Sequence, residues 1–352
     1  MSPAMRQWTM AGGLLAAALV VLMIGLWMAS PGDRAEREHR GEKFLPGLRE
    51  VINEVERIQV IGPGEETLAT LERDDERWRV VQRDGHEADF ARVRDLLRDL
   101  ADAEIVDART AREDWYRRLG VTDIADSDAE GLVLRFPDQS LPGVIVGRAA
   151  EEQGGHFVRR ESEARSWLVD RRLRVEDNPV DWLERSVMDI PAEEMERVTV
   201  RHPDGQVVRV HASGMPDTPF ILMQIPEGQE LRDAWRINEI ADGLAGIRLE
   251  DVRPHDQVPS DAVRSLYSTM DGLNFIVSAF EDDEGYWVHF RVSAETPASG
   301  SDQIPSPEVS EQVAGAAAVD ARLSPWQYQI RESDFQRLTR RLEDLVAPRD
   351  ED

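Results

Sequence analysis

The apolar–polar pattern opens with twenty consecutive residues that are all apolar or glycine, Met10 to Ala29 (MAGGLLAAALVVLMIGLWMA). A helix of that length spans about 30 Å, the thickness of a bilayer core. The apolar region of a cleaved signal peptide is only about 7–15 residues long. Met28-Ala29-Ser30 is also a poor small-x-small cleavage site. Residues 1–31 are therefore expected to form an uncleaved N-terminal transmembrane anchor. Trp8 and Trp27 lie near its two ends, as interfacial anchors do. Arg6 and the N-terminal amine precede the span, whereas Arg34, Arg37 and Arg40 follow it, mixed with Asp33, Glu36 and Glu38. The count of basic residues alone leans against an N-inside orientation. The very short N-terminal flank and the layout of a signal anchor favour it, which would put the bulk of the chain in the periplasm of a bacterium. Gly12 and Ala16 have the small-xxx-small spacing of packed helices, a match that chance supplies in a span so rich in alanine and glycine.

Residues 32–52 are charged and lack a strong period, which reads as a juxtamembrane stalk. Beyond them the pattern repeats. Val55-Glu56-Arg57-Ile58-Gln59-Val60 alternates like a strand and meets a Gly-Pro-Gly turn. Met195-Glu196-Arg197-Val198-Thr199-Val200 alternates likewise and meets Pro203-Asp204-Gly205. A second strand follows each (Thr67–Leu71, Val207–His211), then a tryptophan-bearing element (Trp78-Arg79-Val80-Val81, Trp235-Arg236-Ile237). Each copy then turns helical. Asp89 is a good N-cap, with Phe90, Val93, Leu97, Leu100 and Ala103 on one face, and Ile237, Ile240, Ala241 and Leu244 recur with the same period. The exits match too, Ala103–Asp107 and Gly246–Val252.

Strands close each copy: Leu132–Phe136, Val144–Gly147, His156–Arg160 and Ser166–Val169 in the first, and Leu266–Met270, Asn274–Phe280 and Tyr286–Val292 in the second. Asp282-Asp283-Glu284-Gly285 reads as a hairpin turn. Residues 295–320 have almost no large apolar side chain and read as a flexible linker. A final strand, Trp326–Ile330, and a helix capped by Ser333, with Phe335, Leu338, Leu342 and Leu345 on one face, complete the chain; beyond Pro348 the tail is charged. The expected fold is α+β: the transmembrane helix, then two duplicated units of antiparallel sheet plus helix over 53–190 and 191–294, then a C-terminal strand and helix over 321–352.

Composition narrows the function. The chain carries 69 acidic against 42 basic residues, a formal net charge of -27. Such a surface repels phosphate backbones, so nucleic acid is excluded as a general partner. Only Lys43 among the basic residues is a lysine, the mark of a GC-rich genome, and the acidic excess also fits a saline environment. The absence of cysteine excludes disulfides, thiolate metal sites and a cysteine nucleophile.

No motif assigns a catalytic, cofactor-binding or metal-binding residue. Gly62-Pro63-Gly64-Glu65-Glu66-Thr67 lacks the third glycine and the following helix of a dinucleotide loop, so it reads as a hairpin turn. There is no phosphate-binding lysine loop and no Gly-x-Ser-x-Gly elbow. Asp126, Asp128, Glu130 and Gly131 mimic the start of a calcium loop. Pro137 falls where its bidentate glutamate belongs, and a solvated acidic loop is expected, with Asp123, Asp126 and Asp128 its only candidate for weak cation binding. His202 and His211 fall in one expected hairpin but lack a third ligand. Trp78, Trp167, Trp182, Trp235, Trp287 and Trp326 could stack sugars, although most fall at core-facing positions.

The layout resembles the bacterial domain-of-unknown-function family numbered 4340. The opening strand with Trp78, the helix at 89–103, Tyr116-Arg117-Arg118-Leu119-Gly120-Val121, Val144-Ile145-Val146-Gly147 followed by Gly155-His156-Phe157-Val158-Arg159, Trp182, and Trp326–Ile330 with the last helix carry the resemblance in the family's order. Two residues separate Tyr116 from Leu119 where the family's turn is tighter. The resemblance implies an N-terminal membrane helix, duplicated αβ units and no established catalytic residues. It also implies an association, through gene neighbourhood, with ABC-2 type transporters. The leading expectation is a non-enzymatic accessory protein of the inner membrane, held by residues 10–29, with an ABC-2 permease and ATPase as partners. A glycan-binding module and a carboxylate-dependent envelope hydrolase are the alternatives.

Overall fold

The computed structural model describes residues 39–215, 218–295 and 307–349. The expected anchor over residues 10–29 lies outside these, as do residues 32–38 of the stalk, residues 296–306 of the expected linker and the last three residues of the tail. Among the described residues no helix is long and apolar enough to cross a membrane. The fold is α+β, and every strand pairing is antiparallel. Two compact units divide after Leu183, where the sequence pattern puts the boundary at 190.

In the first unit α1 (Leu48–Val51) precedes β1 (Arg57–Gly62), β2 (Glu66–Asp74), β3 (Arg77–Val80) and β4 (His86–Glu87). Helix α2 (Phe90–Asp102) leads to β5 (Ile105–Ala108), the short α3 (Tyr116–Leu119), and then β6 (Leu132–Arg135), β7 (Val144–Ala149), β8 (His156–Arg160) and β9 (Ser166–Val169). The sheet order is β4-β3-β2-β1-β6-β7-β8-β9-β5. The chain therefore builds outward to one edge, crosses to the other through α2, and returns to the centre to meander back. Asp89 caps α2 as expected, its Oδ1 accepting from Arg92 N at 3.1 Å. Val93, Leu96, Leu97 and Leu100 are buried, but Phe90 is 54% exposed, lying instead under the guanidinium of Arg94. A first-turn position projects over the helix end, beyond the core that the later turns cover.

The end of the expected stalk is part of this unit. Phe44, Leu45 and Leu48 are buried, and residues 41–44 bond to 103–105 through Gly41 N to Ile105 O, Ile105 N to Glu42 O and Phe44 N to Ala103 O. Three apolar side chains among charges are too few to show a period, yet enough to dock. On the outer side of β6 and β7, Tyr116, Val121 and Ile124 join Ile61, Val133 and Ile145 in a second cluster. Gly147 permits this approach, since a Cβ there would lie 2.3 Å from Leu119 O.

The second unit comprises β10 (Ser186–Met188), β11 (Met195–Arg201), β12 (Val207–Met215), β13 (Thr218–Leu222), β14 (Gln229–Leu231), α4 (Ala234–Ala241), β15 (Ile247–Pro254), β16 (Val263–Thr269), β17 (Leu273–Asp282), β18 (Gly285–Ala294), α5 (Pro307–Leu323), β19 (Trp326–Ile330), α6 (Glu332–Leu338) and β20 (Val346–Pro348). Its large sheet runs β13-β12-β11-β16-β17-β18-β19-β15-β10, and β14 pairs with β20. Set beside the first sheet, the shared part reads the same. A hairpin (β2-β1, β12-β11) joins a meander (β6-β7-β8, β16-β17-β18), then a last strand (β9, β19), then the strand after the helix (β5, β15). The C-terminal strand expected as a separate element is thus an interior strand of the second sheet. Asp282 pairs with Gly285 across the expected two-residue turn.

Two further expectations are corrected. Residues 307–320 of the expected flexible linker, with the three residues after them, form α5, whose Ala316 and Leu323 are buried. Alanine is the strongest helix former, so a segment poor in large side chains can still be helical. The last helix is capped at Arg331 and ends at Leu338, with Ser333 inside it. A 3₁₀ turn at Leu342–Asp344 follows, and Leu338 and Leu345 are both buried.

Tyr267, on β16, is fully buried, and its hydroxyl has no hydrogen-bond partner. A Cβ at Gly243 would come within 2.2 Å of that oxygen. Removing an unpaired buried hydroxyl relieves its desolvation cost. Tyr267→Phe is expected to raise unfolding free energy by about 1 kcal/mol in urea titrations.

Candidate functional site

A polar cavity of about 630 Å³ opens on the first unit between one flank of α2 and the loop after β9. Helical spacing brings Arg92, Asp95 and Asp99 to one flank, because residues three and four apart share a face. The loop adds Asp170, Arg171, Arg172 and Arg174, and Leu173 between them turns inward and is buried. Much of this charge is already engaged. Arg92 Nη1 lies 2.7 Å from Glu176 Oε1, and Asp170 Oδ1 accepts from Glu104 N at 2.8 Å. Asp95 pairs with Arg94 at 2.8 Å. Arg172 and Arg174 make no ion pair with the described residues. Burial pushes the Asp99 carboxyl above its ordinary value, with Asp95 adding to the effect and Arg171 opposing it. The cavity thus offers a half-buried carboxyl and two guanidiniums outside the ion pairs, a set suited to a ligand carrying both charges. No feature of the sequence singles it out, because Asp99 and Arg172 are distant in the chain and each reads as an ordinary surface charge.

The residues that the sequence brings forward fall elsewhere. Gly62-Pro63-Gly64 forms the connection of the β1–β2 hairpin. In the acidic loop, Asp126 Oδ1 accepts from Asp128 N at 3.0 Å, Asp128 pairs with Arg117 at 2.9 Å, and Glu130 pairs with Arg148. These contacts direct Asp126 to a backbone amide and Asp128 and Glu130 to arginines instead of a shared centre, and Asp123 Oδ1 accepts from Ala125 N. Among the described residues no group of three or more His, Cys, Asp or Glu side chains could hold a metal ion. His211 stands opposite Arg197 at the far end of the β11–β12 hairpin from His202, which lies 3.3 Å from Arg340 O, so the two are not brought together. Of the six tryptophans considered for sugar stacking, Trp78, Trp167, Trp182 and Trp287 are buried, Trp326 is partly buried, and Trp235, inside α4, is 53% exposed.

Three histidines are held neutral by their surroundings. Burial lowers the pKa of His156, His202 and His289 below the ordinary 6.5. His156 Nδ1 accepts from Leu173 N at 3.0 Å, which ties it to the cavity loop, and His289 stacks on His255 with ring centroids 3.7 Å apart. Between pH 6.5 and the lower folded values the unfolded chain holds protons that the folded chain does not. Stability is therefore full above pH 6.5, declines as the pH falls below it, and levels off once the folded histidines also protonate. Urea midpoints are expected to drop between about pH 7 and pH 5, and His156→Gln should reduce that drop.

The profile of a family described as Domain of unknown function (DUF4340) matches residues 53–265. The match begins just before β1 and ends within β16, the first strand of the meander, short of β17, β18 and β19, which complete the second sheet. Comparison with curated proteins and with solved structures finds no match. The family match spans more than half of the chain, and the chain belongs to the DUF4340 family.

Proposed function

We propose that this protein is a non-enzymatic accessory protein of the bacterial inner membrane, anchored by residues 10–29, with its folded units in the periplasm and an ABC-2 type transporter as its partner. The reading of the anchor rests on the twenty-residue apolar run, which matches bilayer thickness. The shared strand order of the two sheets supports an origin by duplication, as does the sequence repeat.

The observation that carries the binding role is the distribution of exposed apolar side chains. In the first unit Val81, Phe90 and Trp115 are the large ones. The second unit exposes Met215, Ile221, Met223, Ile225, Leu266, Met270 and Ile276 around one part of its sheet, together with Leu231, Trp235 and Val313. Leu266 and Ile276 are direct cross-strand neighbours, and exposed methionine is a feature of protein-binding faces. Burial of four of the six tryptophans considered as sugar platforms weighs against sugar stacking.

The cavity supports a second reading, a carboxylate-dependent hydrolase, through the raised Asp99 pKa beside Asp95. On that reading Asp99→Asn abolishes release of products from cell-wall glycan by the full chain; on the accessory reading neither protein releases any.

Crosslinking of the full-length protein in native membranes, followed by capture and mass spectrometry, is expected to recover an ABC-2 permease and its ATPase. Recovery of neither, with the protein itself abundant, would overturn the transporter association.

A further inference from the structure

Register places a cluster of arginines on one face of the second sheet, with no acidic residue in the strand rows that carry it. Residues directly opposite in an antiparallel ladder share a face. Arg201 on β11 stands directly opposite Arg264 on β16. One step along, Arg209, Thr199, Leu266 and Ile276 form a row across β12, β11, β16 and β17. The next row runs Ile221, His211, Arg197, Ser268, Asn274 from the edge strand β13 inward. No position in these rows is acidic, on a chain with 69 acids against 42 bases. Leu266 is 36% and Ile276 44% exposed, and Arg201 and Arg264 are exposed. The opposite face of the same strands is the core, with Val198, Val200, Val208, Val210 and Phe275 buried.

The arginines differ in how they are satisfied. At the margins, Arg197 is held by Glu196 and Glu295, and Arg291 by Asp320. Arg201 and Arg264 make no ion pair with the described residues, and Arg209 reaches only the side-chain amide of Gln224 at 3.4 Å. Like charges directly opposite on neighbouring strands destabilise a sheet. A local cost of this kind, without a compensating partner among the described residues, marks a surface shaped by binding.

We propose that this face is the partner-docking surface, and that its occupant is a protein segment whose carboxylates meet Arg201, Arg264 and Arg209 while its apolar side chains lie on Leu266 and Ile276. The proposal rests on the accessory-protein reading for the existence of a partner and adds where and through what chemistry it binds. Guanidinium forks match carboxylates bidentately, and arginine is among the residues enriched at the energetic centre of interfaces. A protein segment fits better than an anionic bilayer. The apolar residues lie flush in strands and do not project as a wedge, and the chain's net charge of -27 opposes approach to a broad anionic surface. A narrow segment touches only the basic face.

The test uses the full-length protein in detergent and a fluorescent peptide of alternating glutamate and leucine. Binding is expected at low salt and weakens at physiological salt. The R201E/R264E double variant should lose at least about tenfold in affinity, while R148E, in the first unit, should bind as the unchanged protein does. R264E alone puts a carboxylate opposite Arg201 and should raise Tm by about 2 °C while weakening peptide binding. A merely structural arginine would lower Tm when reversed. Unchanged affinity in the double variant, or no peptide binding at all, overturns the proposal. So does arginine-dependent binding to phosphatidylglycerol–phosphatidylcholine vesicles without peptide binding, which would assign the face to a lipid surface. Captured transporter subunits that persist with R201E/R264E in membranes would refute this face and leave the accessory reading standing. Their absence with the unchanged protein would refute that reading itself.

Discussion

Each sheet depends on the long-range strand pairing at which its first hairpin meets its meander. In the first unit Gln59, Val60 and Ile61 pair with Arg135, Leu134 and Val133, and in the second Arg197 through Arg201 pair with Ser268 through Arg264. These pairings join an N-terminal hairpin to a meander formed after the chain has crossed the sheet through α2 or α4. Without them each sheet would separate into two pieces, and the helices would have no continuous face to cover. The strands involved are among the most buried, with Ile58, Val60, Val133, Leu134, Val198 and Val200 all in the core. The entropy of closing a long loop must be met before such contacts form, so burial along these strands has to be extensive.

The same pairing decides what the open faces display. Once β11 and β16 are in register, Val198 faces the core opposite Tyr267, and Arg201 must face outward opposite Arg264. A one-residue slip would exchange the faces. The arginine-rich surface and the apolar core are therefore two sides of one register, and neither can change alone.

Most strands are legible in the sequence because alternation is local, and so are the Asp89 cap and the Asp282–Gly285 turn, whose signals lie within a few residues. Other features depend on distant partners. Phe44, Leu45 and Leu48 resemble part of a charged stalk until residues 103–105 lie beside them. Trp326–Ile330 reads as a terminal appendage because its partners in β15 and β18 lie far back in the chain. For residues 307–323 composition misleads, since low apolar content suggests flexibility where alanine favours a helix. The cavity at Asp99 and the opposed pair of Arg201 and Arg264 are invisible in the sequence for the same reason: each joins residues on different elements, and register is not written in either strand alone.

The position of β19 has a consequence for synthesis. It lies between β15 and β18, yet it is the last strand of that sheet to leave the ribosome, after α5. Until then both neighbours present an unpaired edge, the arrangement most prone to pairing with another chain. The first sheet has its equivalent strand, β9, in place before the second unit is made. Nascent chains should therefore be safer once the first sheet is closed than just before β19 is made, and chains cut short ahead of β19 should burden the cell's quality control far more than the loss of one strand suggests.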